Sequence, residues 1–190
     1  TEDSFEELRA DGVQIRDYSD VDSALSSLRG QGVDSLCVDP STLSISLRKA
    51  MDEGESRPNV LEKTSPVPLK KAVKNDVEVA NMREAHLEDG LVMEKFLYWL
   101  STRAGRVNEW EAAEYLHSLR ARVSGFRGES FETISAYGPS AALPHYSTPS
   151  EGSALLEERG MYLVDSGGQY LFGTTDITRT VPMGPVTPLE

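Results

Sequence analysis

The stretch MYLVDSGGQYLFGTTDITRTV, residues 161–181, constrains this chain most. Residues 161–165 are apolar and β-prone, Gly167, Gly168 and Gly173 interrupt the middle, and residues 174–181 alternate polar with apolar among β-branched side chains. That pattern predicts an antiparallel hairpin. A symmetric tip between Tyr170 and Leu171 sets Asp165 directly opposite Asp176 on one face. Opposed side chains have Cβ atoms roughly 4.5–5.5 Å apart, where two like charges repel. A pair of divalent cations about 3.5–4 Å apart would satisfy both carboxylates. Thr178 lies two residues past Asp176 on the same face, placed to orient a carboxylate by hydrogen bonding. Gly167 leaves space beside Asp165, and an oxygen-rich pocket suits Mn²⁺, Mg²⁺ or Zn²⁺. The spacing alone also permits two solvated aspartates beside a turn, and a bulge at either glycine pair would shift the register.

Two helices precede the hairpin. Asn75-x-x-Glu78 and Asn108-x-x-Glu111 are capping-box patterns. The first opens a helix whose stripe is Val79, Met82, His86, Met93, Leu97 and Leu100, ending near Arg103–Gly105. The second carries Trp110, Ala113, Leu116, Leu119 and Val123. A strand over Phe131–Tyr137 follows, and helices before antiparallel strands make an α+β order. The strands would form a curved sheet with the helices on its outer face and the metals on its inner face. His86 and His117 read as structural residues on helices. His145 sits in a Gly/Pro-rich loop between strands, where a side chain can project into a cleft. Arg179 falls on the face of its strand opposite Asp176.

The N-terminal third is different. Residues 1–12 are acidic and polar. A weak strand (Val13–Arg16), a helix (Val21–Arg29), a strand (Ser35–Val38) and a helix (Ser41–Met51) suggest part of a parallel or mixed sheet. Asp39 before Pro40 is a turn and helix-start signal. DEGESRPN and then SPVPLKK read as a polar boundary and an extended linker, dividing the chain into 1–64 and 65–190. So few apolar positions before residue 65 make a poor independent core.

The net charge of −12 argues against nonspecific nucleic-acid binding and against a polybasic membrane surface. The single cysteine, Cys37, excludes an internal disulfide, fits a reducing compartment and reads as a buried, inert thiol in LCV. No apolar run reaches membrane-spanning length.

DSGGQY followed by GTTDITRT, together with SPVPLKKAVKN, MREAHLEDG and YGPSAALPHY, resembles the X-prolyl aminopeptidases (aminopeptidase P), members of the pita-bread creatinase/prolidase-like family, and among them the cytosolic eukaryotic type. The resemblance covers residues 13–190, most strongly from Ser65 onward. It implies part of an N-terminal α/β creatinase-like domain, non-catalytic, over 1–64, then the first half of a pita-bread metallopeptidase domain over 65–190. It also implies that Asp165 and Asp176 are ligands of two divalent ions, manganese in the first place, and that His145 contacts substrate. Pro144 departs from the aliphatic residues usual before that histidine and stiffens the loop. The family completes its centre with a histidine and two glutamates; no histidine follows His145, so the chain reads as a middle segment of a larger enzyme, inactive by itself. The implied reaction removes an N-terminal residue preceding proline by attack of a hydroxide held between the ions. The implied partner is a peptide with proline at its second position, the implied compartment is the cytoplasm, and relatives often form homodimers. A prolidase-type dipeptidase shares the metal signature; non-peptidase relatives typically lose the aspartates retained here.

Overall fold

Both capping boxes form, and they fix where the two main helices begin. The computed structural model describes residues 2–53 and 58–189, which divide into two compact units, Thr1–Val73 and Lys74–Glu190. The glycine-containing stretch Gly54–Arg57 of the proposed boundary lies outside the described residues.

In the first unit, helix α1 (Glu2–Ala10) covers most of the acidic N-terminal stretch, and residues 13–17 form no strand. Helix α2 (Val21–Ser26) gives way to a 3-10 turn at Leu28–Gln31. Strand β1 (Ser35–Val38) and strand β2 (Asn59–Glu62) pair in parallel on either side of helix α3 (Ile45–Asp52), whose cap is Ser44. Asp39 makes an Asx turn: one carboxylate oxygen accepts from Ser41 N at 3.0 Å and Oγ at 2.6 Å, the other from Ser65 N at 2.7 Å. The Ser41 hydroxyl and these amides hold its carboxyl below the usual carboxylate range. Cys37 is exposed, not buried. Period-two alternation turns Val38 inward and leaves Cys37 on the open face of a two-stranded sheet. SPVPLKK also departs from the extended expectation. Helix α4 (Val67–Ala72) forms there, because proline is tolerated in a first helical turn, where its missing N–H has no intrahelical role.

In the second unit, helix α5 (Asp76–Ser101) and helix α6 (Glu109–Arg120) pack together, with Trp99 stacked on Tyr115 at 3.9 Å between ring centroids. Asn75 accepts from Glu78 N while the Glu78 carboxylate accepts from Asn75 N, and Asn108 and Glu111 repeat the arrangement. The buried face of α5 is Ala85, Asp89, Val92, Met93, Phe96 and Leu100. The predicted stripe is therefore partly out of phase: His86 is exposed, its Nδ1 2.9 Å from the Met82 carbonyl. Two three-stranded sheets lie against these helices. One orders strand β3 (Phe126–Glu129), strand β6 (Gly168–Tyr170) and strand β7 (Gly173–Thr174). The other orders strand β4 (Ile134–Tyr137), strand β5 (Met161–Ser166) and strand β8 (Ile177–Pro182). The single strand expected over Phe131–Tyr137 is thus shorter, and β3 precedes it. The core joins Val92, Phe96, Leu100, Leu116, Leu156, Tyr162 and Val164.

The predicted hairpin is real but bent. Its two arms leave one sheet and enter the other at Gly167 and at Thr175–Asp176. A Cβ at Gly167 would collide with the Thr175 carbonyl and the Ser130 hydroxyl, so only glycine lets the arms approach here. Gly90, in the middle of α5, meets nothing within 4 Å. Gly167→Ala should cost about 1–3 kcal/mol by overpacking, whereas Gly90→Ala should gain about 1 kcal/mol from helix propensity alone. Urea unfolding of the two variants against the parent checks both signs.

Candidate metal centre

Asp165 and Asp176 do not face each other. Asp165 pairs with Thr178, Ser166 with Ile177 and Tyr170 with Gly173, which places the tip between Leu171 and Phe172. The register is two residues from that of a tip between Tyr170 and Leu171. Its cause lies outside the hairpin: Gly173 packs onto α5 so closely that a Cβ would stand 2.9 Å from that of Ala85, which fixes Gly173 as the partner of Tyr170. A shift of two keeps face parity. Thr175 is buried and Ile177 packs on the core, while Asp176 and Thr178 are exposed. Thr178 Oγ1 donates to Asp165 Oδ1 at 2.7 Å. Asp165 and Asp176 therefore turn to the same side, away from the core, one diagonal step apart.

The residues beside them turn the other way, into a buried polar cluster. Asp89 and Arg120 are both fully buried. Arg120 Nε donates to Asp89 Oδ1 at 2.8 Å and Nη2 to Oδ2 at 3.1 Å, a bidentate fork. Thr175 Oγ1 donates to Asp89 Oδ2 at 2.5 Å, and Tyr170 Oη to Oδ1 at 3.0 Å. Arg120 Nη2 also reaches Ser166 Oγ at 3.1 Å, and Nη1 reaches Glu129 at 3.1 Å. Burial alone would lower the Arg120 pKa, but the hydrogen bond and charge of Asp89, followed by the charge of Glu129, leave it raised. Burial and then the Asp89 charge raise that of Tyr170, so the phenol remains a donor. The sequence reading missed Asp89, Arg120 and Ser166; Asp89 falls among Ala85, Val92 and Phe96 at helical spacing, the one sequence signal of its burial.

A second buried carboxylate organises the His145 loop. Glu109, fully buried at the start of α6, accepts from Tyr137 N at 2.7 Å, Tyr146 Oη at 2.8 Å and Ala154 N at 3.2 Å. Burial, then the Glu109 hydrogen bond and charge against an opposing Ser140 contact, raise the Tyr146 pKa. The loop doubles back along β4, with Thr148 Oγ1 bonded to Ser135 N and O at 3.0 Å each and Ser147 Oγ to Glu132 at 2.6 Å. His145 is exposed at a turn, with φ of 55°. A non-glycine residue there costs of order 1–3 kcal/mol and persists only where the surroundings enforce it. Tyr146, Ser147 and Thr148 after it are anchored, and the ring has no hydrogen-bond partner among the described residues. His117 Nδ1 meets Glu129 at 2.8 Å, in line with a structural role. Arg179 lies on the face opposite Asp165 and donates to the Thr178 carbonyl at 2.7 Å, with no carboxylate partner among the described residues.

Carboxylates are the donors that hard divalent cations take, and Asp165 keeps Oδ2 without a hydrogen bond among the described residues. The donor set fits part of a centre: among the described residues no group of three or more His, Cys, Asp or Glu could hold an ion. Asp89→Ala should strand the buried Arg120 charge and cost about 3–5 kcal/mol, read as a fall in the urea midpoint. Asp89→Ala with Arg120→Met should recover part of that loss.

The fold is that of a metallopeptidase scaffold. The chain belongs to metallopeptidase family M24, matched over residues 80–190, behind a creatinase/prolidase N-terminal domain matched over residues 1–78. It is 40% identical over 180 residues to mouse Xaa-Pro aminopeptidase 2, covering 94% of this chain and 26% of that protein. With the probable Xaa-Pro aminopeptidase P of Verticillium alfalfae it is 39% identical over 197 residues, covering 99% of this chain and 32% of that protein. The chain thus spans about a quarter to a third of these relatives. Among solved structures, X-prolyl aminopeptidase from Caenorhabditis elegans, described as a cytosolic enzyme with a di-nuclear active site, superposes with a TM-score of 0.86 at 34% identity, covering all of this chain and 32% of that one. Xaa-Pro dipeptidase from Bacillus anthracis superposes with a TM-score of 0.72 at 25% identity, covering 89% of this chain and 45% of that one.

Proposed function

We propose that this chain is the part of an X-prolyl aminopeptidase that supplies two carboxylate ligands, Asp165 and Asp176, and the substrate-facing His145. The observation that carries this reading is the outward turn of both aspartates to one side of a bent hairpin, while the adjacent Ser166 and Thr175 are buried on the other. Side chains with no metal to hold would gain nothing from that arrangement, since like charges on one face cost energy. Thr178 steadies one oxygen of Asp165 and leaves the other for an ion. The names and di-nuclear description of the relatives support the same reading.

Two divalent ions held there, manganese by preference, would supply Lewis-acid polarisation of the scissile carbonyl and a more acidic water. The chain's own residues set the stage for that chemistry. Asp165 and Asp176 would hold the ions, and the exposed imidazole of His145 would steady the substrate carbonyl. The substrate is a peptide with proline at position two, whose tertiary amide lacks an N–H and keeps a fixed ring geometry. The work is cytoplasmic in this reading, in keeping with the description of the nematode relative. The Bacillus anthracis dipeptidase favours a second reading, release of a residue from X-Pro dipeptides only.

In the intact protein, Asp176→Asn should abolish hydrolysis of an X-Pro-X peptide and lower bound manganese; undiminished metal by elemental analysis would remove Asp176 from the ligand set. His145→Gly should lower kcat/KM by roughly 10²–10³-fold if the ring aids the developing oxyanion. Because glycine accepts the positive φ, the melting temperature should not fall with it.

A further inference from the structure

The ladder of hydrogen bonds in the hairpin fails where the two aspartates stand. Gly168 and Thr175 would ordinarily exchange both N–H···O bonds across the arms. Thr175 N does donate to Gly168 O at 3.0 Å. The return bond is absent, because the Thr175 carbonyl instead accepts from Ser130 Oγ at 2.9 Å. The Thr175 hydroxyl takes its place, accepting from Gly168 N at 2.9 Å while donating to Asp89 Oδ2 at 2.5 Å. One side-chain oxygen therefore serves as the missing rung and joins it to a fully buried carboxylate.

Asp89 holds both arms. It grips Thr175, the residue before Asp176, directly. It grips Ser166, the residue after Asp165, through Arg120. Neither Asp89 nor Arg120 reaches the face on which the aspartates stand, since both are buried beneath it.

We propose that Asp89, acting through Thr175 and through Arg120 and Ser166, is a positioning residue that sets the separation of Asp165 and Asp176 and so the affinity of the two-cation site. This rests on the reading of those aspartates as ligands. Without the clamp, repulsion between the charges spreads the arms when no cation is present, and binding must then draw them together. Outer partners of metal ligands typically tune affinity by about 10–100-fold.

The test uses the intact protein and Mn²⁺ alone, followed by calorimetric titration and by the electron paramagnetic resonance signal of a spin-coupled ion pair. Thr175→Val removes the rung and the link to Asp89, and should weaken Mn²⁺ binding by about 10–100-fold and diminish the coupled signal. Thr175→Ser keeps the oxygen and should restore both. Tyr170→Phe removes a different hydrogen bond from the same Asp89 carboxylate, three residues nearer the tip than Gly167; it should lower the melting temperature yet leave Mn²⁺ affinity unchanged. Unchanged affinity in Thr175→Val overturns the proposal, as does an equal loss in Tyr170→Phe, which would make Asp89 a prop of the fold only. Asp165→Asn and Asp176→Asn separate the two levels. If neither weakens Mn²⁺ binding, the ligand reading fails; if both do and Thr175→Val does not, only the positioning role fails.

Discussion

The ion pair between Asp89 and Arg120 is the constraint on which the second unit, Lys74–Glu190, depends. It joins α5 to α6 and, through Thr175, Tyr170 and Ser166, ties both arms of the hairpin to that helical pair. A buried pair of this kind is not a reliable source of net stability, because desolvation consumes much of the attraction. What it provides is definition. Each of its hydrogen bonds has one angular solution, whereas the apolar surface around it would tolerate a sliding hairpin. No buried side-chain nitrogen or oxygen among the described residues lacks a partner, so the cluster is complete as it stands.

Sterics work beside the electrostatics. Gly167 and Gly173 are positions where the backbone approaches other groups more closely than a side chain allows. The first lets the arms cross from one sheet to the other; the second seats the far end of the hairpin on α5. Together they convert a flat ribbon into a bent one, and the bend is where the aspartates emerge.

How much of this was legible in the sequence follows from how local each determinant is. The capping boxes at Asn75 and Asn108 were readable because every partner lies within three residues. The hairpin was readable from alternation and glycine punctuation, as was its face parity. Its register was not, since Ala85 and Ser130 decide it from far along the chain. Asp89 was hidden for a related reason: an acid among polar neighbours on a helix looks like surface, and its guanidinium partner sits 31 residues away. Cys37 was misread because LCV looks like a core strand, while a sheet of only two strands leaves one face open. The two prolines of SPVPLKK suggested extension, although the same residues are admissible in a first helical turn.

The carboxylate of Glu109 has a consequence for motion. It is the first residue of α6, where a negative charge complements the helix dipole, and it also collects donors from β4, from Tyr146 and from Ala154. The segment bearing His145 is thus tethered to a helix start as well as to β4 and the connection before it. It cannot lift away alone: to swing outward it must also bare a charge that no water reaches. Any breathing of this flap is therefore a concerted event that involves helix, strand and loop together.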